Sequence, residues 1–334
     1  MSPSRVLGFT DPFVYQSAFR SVEVELFPTA KGKFRAELTQ VTMGKLWLHA
    51  AHEDLPRVYI GAIKPHLAVI GFLTRPNQPA MQHCGMAVSP GDIIVNDADL
   101  MYRRSEANCD WGSMSLPKAD LDVSCLAVTG HQYEASSPKY VVKPAPSLIS
   151  WLLRIHGMVG QMAKVTPDIL SLPEVARALE QELLLVMIRC LTEGKPSRMT
   201  ESGRRHDRIV ARFEEYLEMH PDKPLYLTEI CAAVGVAERT LRGVCEDHLG
   251  MGPIRFLALR RLHLVRRALQ QASSVTTTVT RVATDYGFWE LGRFSVAYRV
   301  LFGETPSETL RRPPNEGTPI KTRLSSSEIR GLHH

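Results

Sequence analysis

The chain has 334 residues, roughly twice the ~150 residues of a typical domain, so two domains are expected. Hydrophobic side chains make up 44% and charged ones 22%, which excludes wholesale disorder. The net charge of +5, from 40 basic against 35 acidic residues, is too small to argue for an anionic partner by itself. Its distribution says more: residues 1–203 carry 20 of each sign, and residues 204–334 carry 20 basic against 15 acidic. Between positions 224 and 320 lysine is absent, so every permanent cation there is arginine, whose planar fork suits phosphates and guanine edges. The longest apolar run, residues 183–188, is far below the ~18 needed to span a membrane. The N-terminal residues carry no apolar stretch of signal-peptide length, and a cytoplasmic location is expected. Six cysteines occur singly with no C-x-x-C pair, which argues against a zinc knuckle or a dithiol redox motif.

Residues 12–20 fit a short helix. From there to about Tyr140 the signals are those of strands. Phe34, Ala36 and Leu38 alternate with Arg35, Glu37 and Thr39, the period-2 pattern of a half-buried strand. Apolar or β-branched runs follow at 45–49, 57–63, 66–73, 93–95 and 121–128, separated by turn formers at 75–79 and 89–92. Short strands at such spacing predict an antiparallel sandwich or barrel. A Pro-rich stretch, 137–146, ends this region. Beyond it Leu148, Leu152, Ile155, Val159 and Met162, and then Val175, Leu179, Leu183 and Met187, repeat at helical spacing. Two amphipathic helices are therefore expected, at 147–165 and 171–191. The run 183–188 is apolar on every side, which fits burial within one chain or sharing with a second subunit. Breakers at 193–203 read as a linker.

From Arg208 onward the pattern is helical throughout. Ile209, Phe213, Tyr216 and Leu217 form a stripe that ends near His220-Pro221-Asp222. A short helix at 228–234 precedes Gly235, which can adopt the left-handed backbone of a helix-turn-helix. The next helix, 238–248, presents Arg239, Thr240 and Arg242 outward, side chains able to reach base edges or phosphates. The same order returns 52 residues later, with Gly287 where Gly235 stood. Thr278 or Thr280 caps a helix whose apolar side is Val279, Val282, Ala283 and Tyr286. A helix at 290–301 then buries Phe294, Ala297, Tyr298 and Leu301 and turns Leu291, Gly292, Arg293 and Val296 outward. Thr305-Pro-Ser-Glu308 is a capping box that starts a closing helix. Between the units, 253–271 is one helix of ~28 Å, close to the ~34 Å between successive major-groove faces. Of its Arg255, Arg260, Arg261, Arg266 and Arg267, several are expected to line solvent or phosphates. Two such units in register, with arginine-only cations and a spanning helix, point to duplex DNA.

These residues resemble the AraC/XylS family of bacterial transcriptional regulators. The resemblance rests on Leu227-Thr-Glu-Ile-Cys-Ala-Ala-Val-Gly-Val, Arg239-Thr-Leu, Leu249-Gly-Met-Gly-Pro253, Arg260-Arg-Leu262, Val282-Ala-Thr-Asp-Tyr-Gly-Phe288, Gly292-Arg-Phe294 and Leu301-Phe-Gly-Glu-Thr-Pro306. The wording Gly-Phe-Trp-Glu-Leu-Gly-Arg-Phe looks like the branch that includes ethanolamine-operon regulators. Phe34-Arg-Ala-Glu-Leu38 and Ser89-Pro-Gly-Asp-Ile-Ile-Val95 resemble the cupin-like β-barrel sensor found ahead of many such domains. By that resemblance the chain is an α+β multidomain protein. Residues 1–145 form the effector-binding barrel, 146–195 a dimerisation pair, 196–207 a linker, 208–312 the DNA-binding domain with units at about 227–248 and 279–302, and 313–334 a flexible tail. The resemblance implies promoter DNA, RNA polymerase, a small-molecule effector and a second copy of the chain as partners, usually in activation. It assigns DNA contact to Arg239, Thr240, Arg242, Leu291, Gly292, Arg293 and Val296. Three departures weaken the first reader helix: Ala237 stands where a capping Ser is usual, Gly243 where a basic residue is usual, and Cys245 where the core usually has an aromatic.

No cofactor, metal or catalytic set stands out. His49, His52, His66 and His83 lack the short ligand spacing of a metal site, and Asp92 after Pro90-Gly91 reads as a turn residue. A metal-binding or catalytic cupin barrel fused to a DNA anchor, and a regulator governed by a protein partner through 183–188, remain as alternatives.

Overall fold

Period-2 alternation builds most of the N-terminal half into two antiparallel sheets. The computed structural model describes residues 3–96, 100–133, 139–220, 225–312 and 320–321. The chain opens with β1 (Ser4–Phe9), α1 (Pro12–Ser17), β2 (Val22–Pro28), β3 (Ala36–Met43), β4 (Leu46–Glu53), β5 (Arg57–Ile63) and β6 (Leu67–Leu73). It continues through β7 (Met81–His83), β8 (Met86–Val88), β9 (Ile93–Asn96), β10 (Met101–Ser105), β11 (Cys109–Pro117), α2 (Lys118–Thr129) and β12 (Lys139–Lys143). Then come α3 (Pro146–Val165), α4 (Pro173–Glu193) and β13 (Lys195–Arg198). One sheet has the order β13-β12-β9-β6-β11-β4-β3-β1, with the two-residue strand Ile320–Lys321 outside β1; the other has the order β2-β5-β10-β7-β8. No strand belongs to both, so the expected barrel is an open pair of facing sheets.

The run 121–128, expected as a strand, is instead the body of α2. Its buried positions are Leu121 and Cys125, four apart, while Val123 is 68% exposed. Helical spacing therefore governs, and the apparent alternation is incidental. The segment 196–207 is not a free linker. Lys195–Arg198 pairs antiparallel with β12, and α5 (Glu201–Glu218) starts seven residues before the expected Arg208, capped by Thr200, whose Oγ1 accepts from the Gly203 N–H at 3.1 Å. Pro221, Asp222 and, apart from Ile320–Lys321, the tail 313–334 lie outside the described residues.

The α3 and α4 helices cover the outer face of the larger sheet. Leu152, Ile155 and Val159 of α3 and Leu183, Val186, Met187 and Ile188 of α4 share an apolar cluster with Leu46, Leu48, Ile70, Phe72 and Met114 of the sheet. Four residues of the run 183–188 are thus buried within the chain, and Leu184 and Leu185 are half-buried. Between the sheets lies a second cluster around Leu38, Tyr59, Met101 and Trp111, with a polar centre. There Glu53 accepts from Tyr15 Oη (2.6 Å) and Trp111 Nε1 (2.9 Å) and pairs with Arg57. Arg103 also points inward: it is 7% exposed, its guanidinium lies 5.4 Å from the centre of the Tyr59 ring, and among the described residues it has no carboxylate partner.

The C-terminal half is all helix: α5, α6 (Leu227–Val234), α7 (Glu238–Leu249), α8 (Pro253–Gln271), α9 (Val279–Asp285), α10 (Leu291–Phe302) and α11 (Pro306–Arg311). Phe213, Ile230, Leu241, Val244 and Phe256 join the same cluster as the inter-sheet core, while Val265, Leu269, Ala283, Phe294 and Tyr298 form a separate one. The molecule is therefore layered as helical pair, large sheet, small sheet and first helical unit, with the second helical unit beyond.

Candidate nucleic-acid interface

The first unit is built on a glycine turn. α6 ends in Gly235 at φ 72°, a left-handed conformation that costs a residue with a Cβ ~1–2 kcal/mol. The N–H groups of Gly235 and Val236 both donate to Cys231 O, at 2.9 and 3.1 Å, which closes α6 in the manner of a Schellman cap. α7 then starts behind Ala237, whose side chain offers no acceptor to the first-turn N–H groups. Leu241, Val244, Cys245 and Leu249 seat the helix, and Arg239, Thr240 and Arg242 are exposed. Arg242 Nη2 is held 2.5 Å from Glu238 Oε1, whereas Arg239 has no ion-pair partner among the described residues.

The second unit repeats this construction. Thr278, not Thr280, caps α9, its Oγ1 accepting from the Arg281 N–H at 3.2 Å, and Gly287 takes φ 78°. Phe294 and Tyr298 seat α10, helped by Phe288 4.9 Å from Phe294 and by a 2.8 Å bond from Tyr298 Oη to Thr309. Gly292, Arg293 and Val296 are exposed, but Leu291 is half-buried against this core. Ala297, expected inside, is exposed, and Leu301 is half-buried. Arg293 Nη1 sits 2.7 Å from Glu290 Oε2. The carboxylates of Glu238 and Glu290 thus hold one outward arginine in each unit. Trp289, 68% exposed between the turn glycine and α10, was not singled out from sequence, although an aromatic at that place is a readable signal for an interface.

The expectation for α8 fails for most of its cations. Arg255 faces solvent, but Arg260 is buried against Glu25 (3.0 Å) and Glu214 (3.4 Å). Arg266 lies between Asp11 (3.4 Å) and Glu304 (3.2 Å), and Arg267 is 3.8 Å over the Phe13 ring. His263 Nε2 donates to Pro28 O at 3.0 Å, and burial pushes its pKa down to about 4; a neutral ring protonated at Nε2 fits both. Three of the five arginines thus dock the helix onto α1 and its cap Asp11, β2, α5 and Glu304 just before α11. Burial pushes the Glu214 carboxyl up to about 8 in spite of Arg260.

The small sheet also meets α7 at its far end. The position a Cβ would take on Gly85, between β7 and β8, lies 2.8 Å from the His248 ring, and that on Gly250 lies 2.2 Å from Arg104 of β10. Both contacts fall at the C-terminal end of α7, while Arg239, Thr240 and Arg242 nearer its start are exposed.

The histidines weighed as metal ligands do not converge. His49 and His52 lie on opposite faces of β4, His66 is exposed and His83 belongs to the other sheet. Burial lowers His49 and His156 to about 4, and His156 Nε2 lies 2.9 Å from His49 O. Among the described residues there is no group of three or more His, Cys, Asp or Glu placed to hold a metal ion. Asp92 closes a turn by accepting from the Ser89 N–H at 2.9 Å.

Residues 230–312 match the family described as "Helix-turn-helix domain". The "XylDLEGF operon transcriptional activator 1" of Pseudomonas putida is 26% identical over 238 residues, 68% of this chain and 69% of that one. Residues 230–312 thus form an AraC-type helix-turn-helix domain, and the homologues of the chain are regulators of the AraC/XylS family. A further AraC/XylS relative, the "Probable thc operon regulatory protein" of Rhodococcus erythropolis, is 31% identical over 165 residues, 49% of each chain. Among solved structures, a probable AraC family transcriptional regulator from Rhodopseudomonas palustris is 34% identical, covering 31% of this chain and 98% of that one with a TM-score of 0.29. These relatives are transcriptional regulators, not enzymes, and among the described residues no helix of this chain is long and apolar enough to cross a membrane.

Proposed function

We propose that this regulator is a transcriptional activator that binds promoter DNA through both helix-turn-helix units and responds to a small molecule held between the two sheets. The single observation that carries the DNA part is the pair of matching turns, Gly235 and Gly287, each followed by a seated helix with arginines outward. Arg239, Thr240 and Arg242 read one major groove; Gly292, Arg293 and Val296 meet the next, with Leu291 at the edge of that contact. Activation is supported by the name of the Pseudomonas putida relative.

Residues 1–145 sense, 146–195 pair two copies and 208–312 bind DNA. Pairing is supported by apolar side chains left on the outside of this region, Met158 at 46% and Val165 at 58% exposed. Coupling runs through β10. Arg103 faces the space between the sheets and its neighbours Tyr102 and Arg104 face α7, so a ligand that shifts the strand shifts the first reader helix. The protein acts in the cytoplasm, on the nucleoid, with RNA polymerase as its working partner. Genome-wide mapping of DNA bound by the protein, paired with a reporter driven by the strongest site, tests the reading. Enrichment at discrete promoters and reporter induction are expected; uniform background binding, or repression, overturns it.

A further inference from the structure

The most concentrated unneutralised charge outside the two reader helices lies on α5. Arg205, Arg208 and Arg212 stand at i, i+3 and i+7, one face of the helix, and with Ala211 they line an open cleft of about 540 Å³. The opposite face carries Ile209, Val210, Phe213 and Leu217 into the core. All three arginines are exposed and, among the described residues, none has a carboxylate partner. This contrasts with Arg242 and Arg293, held by Glu238 and Glu290, and with Arg260 and Arg266, spent on docking the halves together. Neighbouring Arg204 is turned aside, donating to Met199 O at 2.9 Å. The stripe does not end in empty solvent. Arg212 Nη1 lies 3.6 Å from where a Cβ on Gly235 would sit, so the row of guanidinium groups runs up to the turn that launches the first reader helix.

We propose that Arg205, Arg208 and Arg212 form a phosphate clamp: they grip the sugar-phosphate backbone of the same duplex whose major groove receives α7. This rests on the DNA-binding reading above and adds a third contacting element that recognises charge and not bases. Exposed arginines without acid partners, continuous with the reader turn, match a polyanion of regular spacing, and the guanidinium fork matches phosphate oxygens. The clamp supplies affinity and register, with no sequence preference of its own.

Salt dependence tests it. Each phosphate contact contributes about 0.9 to the slope of log K against log salt on B-DNA. The full chain and its Arg205→Ala/Arg208→Ala/Arg212→Ala variant are titrated by fluorescence anisotropy with three 40-base-pair duplexes of unrelated mixed sequence, from 50 to 200 mM KCl. The variant should lose about 2.7 from the slope on every duplex, so that wild-type Kd rises about 40-fold more than the variant's across that range. The matching triple Lys variant should keep the wild-type slope, which a merely structural role for the guanidinium groups would not give. If the triple Ala variant loses its helical circular dichroism, Arg208→Gln alone is read instead, with an expected loss of about 0.9. A slope unchanged within 0.5 overturns the clamp and leaves the reader helices in place. Failure of the wild-type chain to bind any duplex overturns the DNA-binding reading itself, and the clamp with it.

Discussion

Restoring the first reader helix should measurably tighten it. α7 lacks two ordinary supports. Ala237 holds the extended N-cap conformation, φ −67° and ψ 151°, without an acceptor side chain, and Gly243 sits inside the helix where an added Cβ would meet nothing within 4 Å. Ala237→Ser supplies an oxygen for a first-turn N–H and should contribute ~1 kcal/mol. Gly243→Ala removes backbone freedom from the unfolded chain without a clash and should contribute a further ~1 kcal/mol. The positions are six residues apart, ~9 Å along the axis, so the effects should add to ~2 kcal/mol. Amide exchange of α7, followed by mass spectrometry, reads this locally: ~2 kcal/mol slows exchange about 30-fold. Gly235→Ala is the counter-test, since its φ of 72° makes the same substitution cost ~1–2 kcal/mol. Exchange that is unchanged or faster in the Ala237→Ser/Gly243→Ala variant would refute this account of α7.

Arg293→Ala should weaken binding to a mapped promoter site by ~1–3 kcal/mol and more than Arg242→Ala does, because Gly243, next to Arg242, interrupts the middle of α7; equal losses in titrations at one salt concentration would count against it. Stability should peak near pH 7. His49, His156 and His263 stay neutral in the fold down to about 4 but take a proton near 6.5 when unfolded, so their contribution is lost as pH falls through that window, ~2 kcal/mol each by pH 5. Glu214 opposes them: raised from 4.5 to about 8, it loses stability as pH rises between those values, and urea midpoints across pH 5–8.5 would show both limbs. Arg103→Met should raise the urea midpoint, because it removes a buried guanidinium without a carboxylate partner at a gain of ~1–3 kcal/mol, while abolishing effector-dependent reporter induction; a destabilised variant would show that Arg103 is satisfied within the fold.

The DNA-binding half was legible because its signals are local. Pro253 and the apolar spacing that follows it place α8 at the residues observed, and the two turn glycines need only their own backbone angles to be recognised. Where the reading failed, partners distant in sequence decided the outcome. Arg260, Arg266 and Arg267 look like free cations in the sequence, but Glu25, Asp11 and Phe13 lie more than two hundred residues away. The strands β1, β2, β7, β8, β10, β11 and β12 lie outside the runs that alternation picks out; β11 carries Gly112, Ser113 and Ser115, small residues that only a sheet neighbour on each side makes strand-like. In α2 the helical period was hidden by apolar residues that stay in solvent.

The apolar cluster that runs unbroken from the space between the sheets to Phe213 and Phe256 has a consequence for modularity. Cutting the chain near residue 200 would not release a ready-made DNA-binding fragment: it would strip Phe27, Met81 and Tyr102 from the first helical unit and leave that surface to water. The second unit closes around its own core of Val265, Ala283, Phe294 and Tyr298, yet the cut would take Asp11 from Arg266 and Phe13 from Arg267. Moving the helical half to another sensor would therefore mean refitting both units, the first at its apolar face and the second at its arginines.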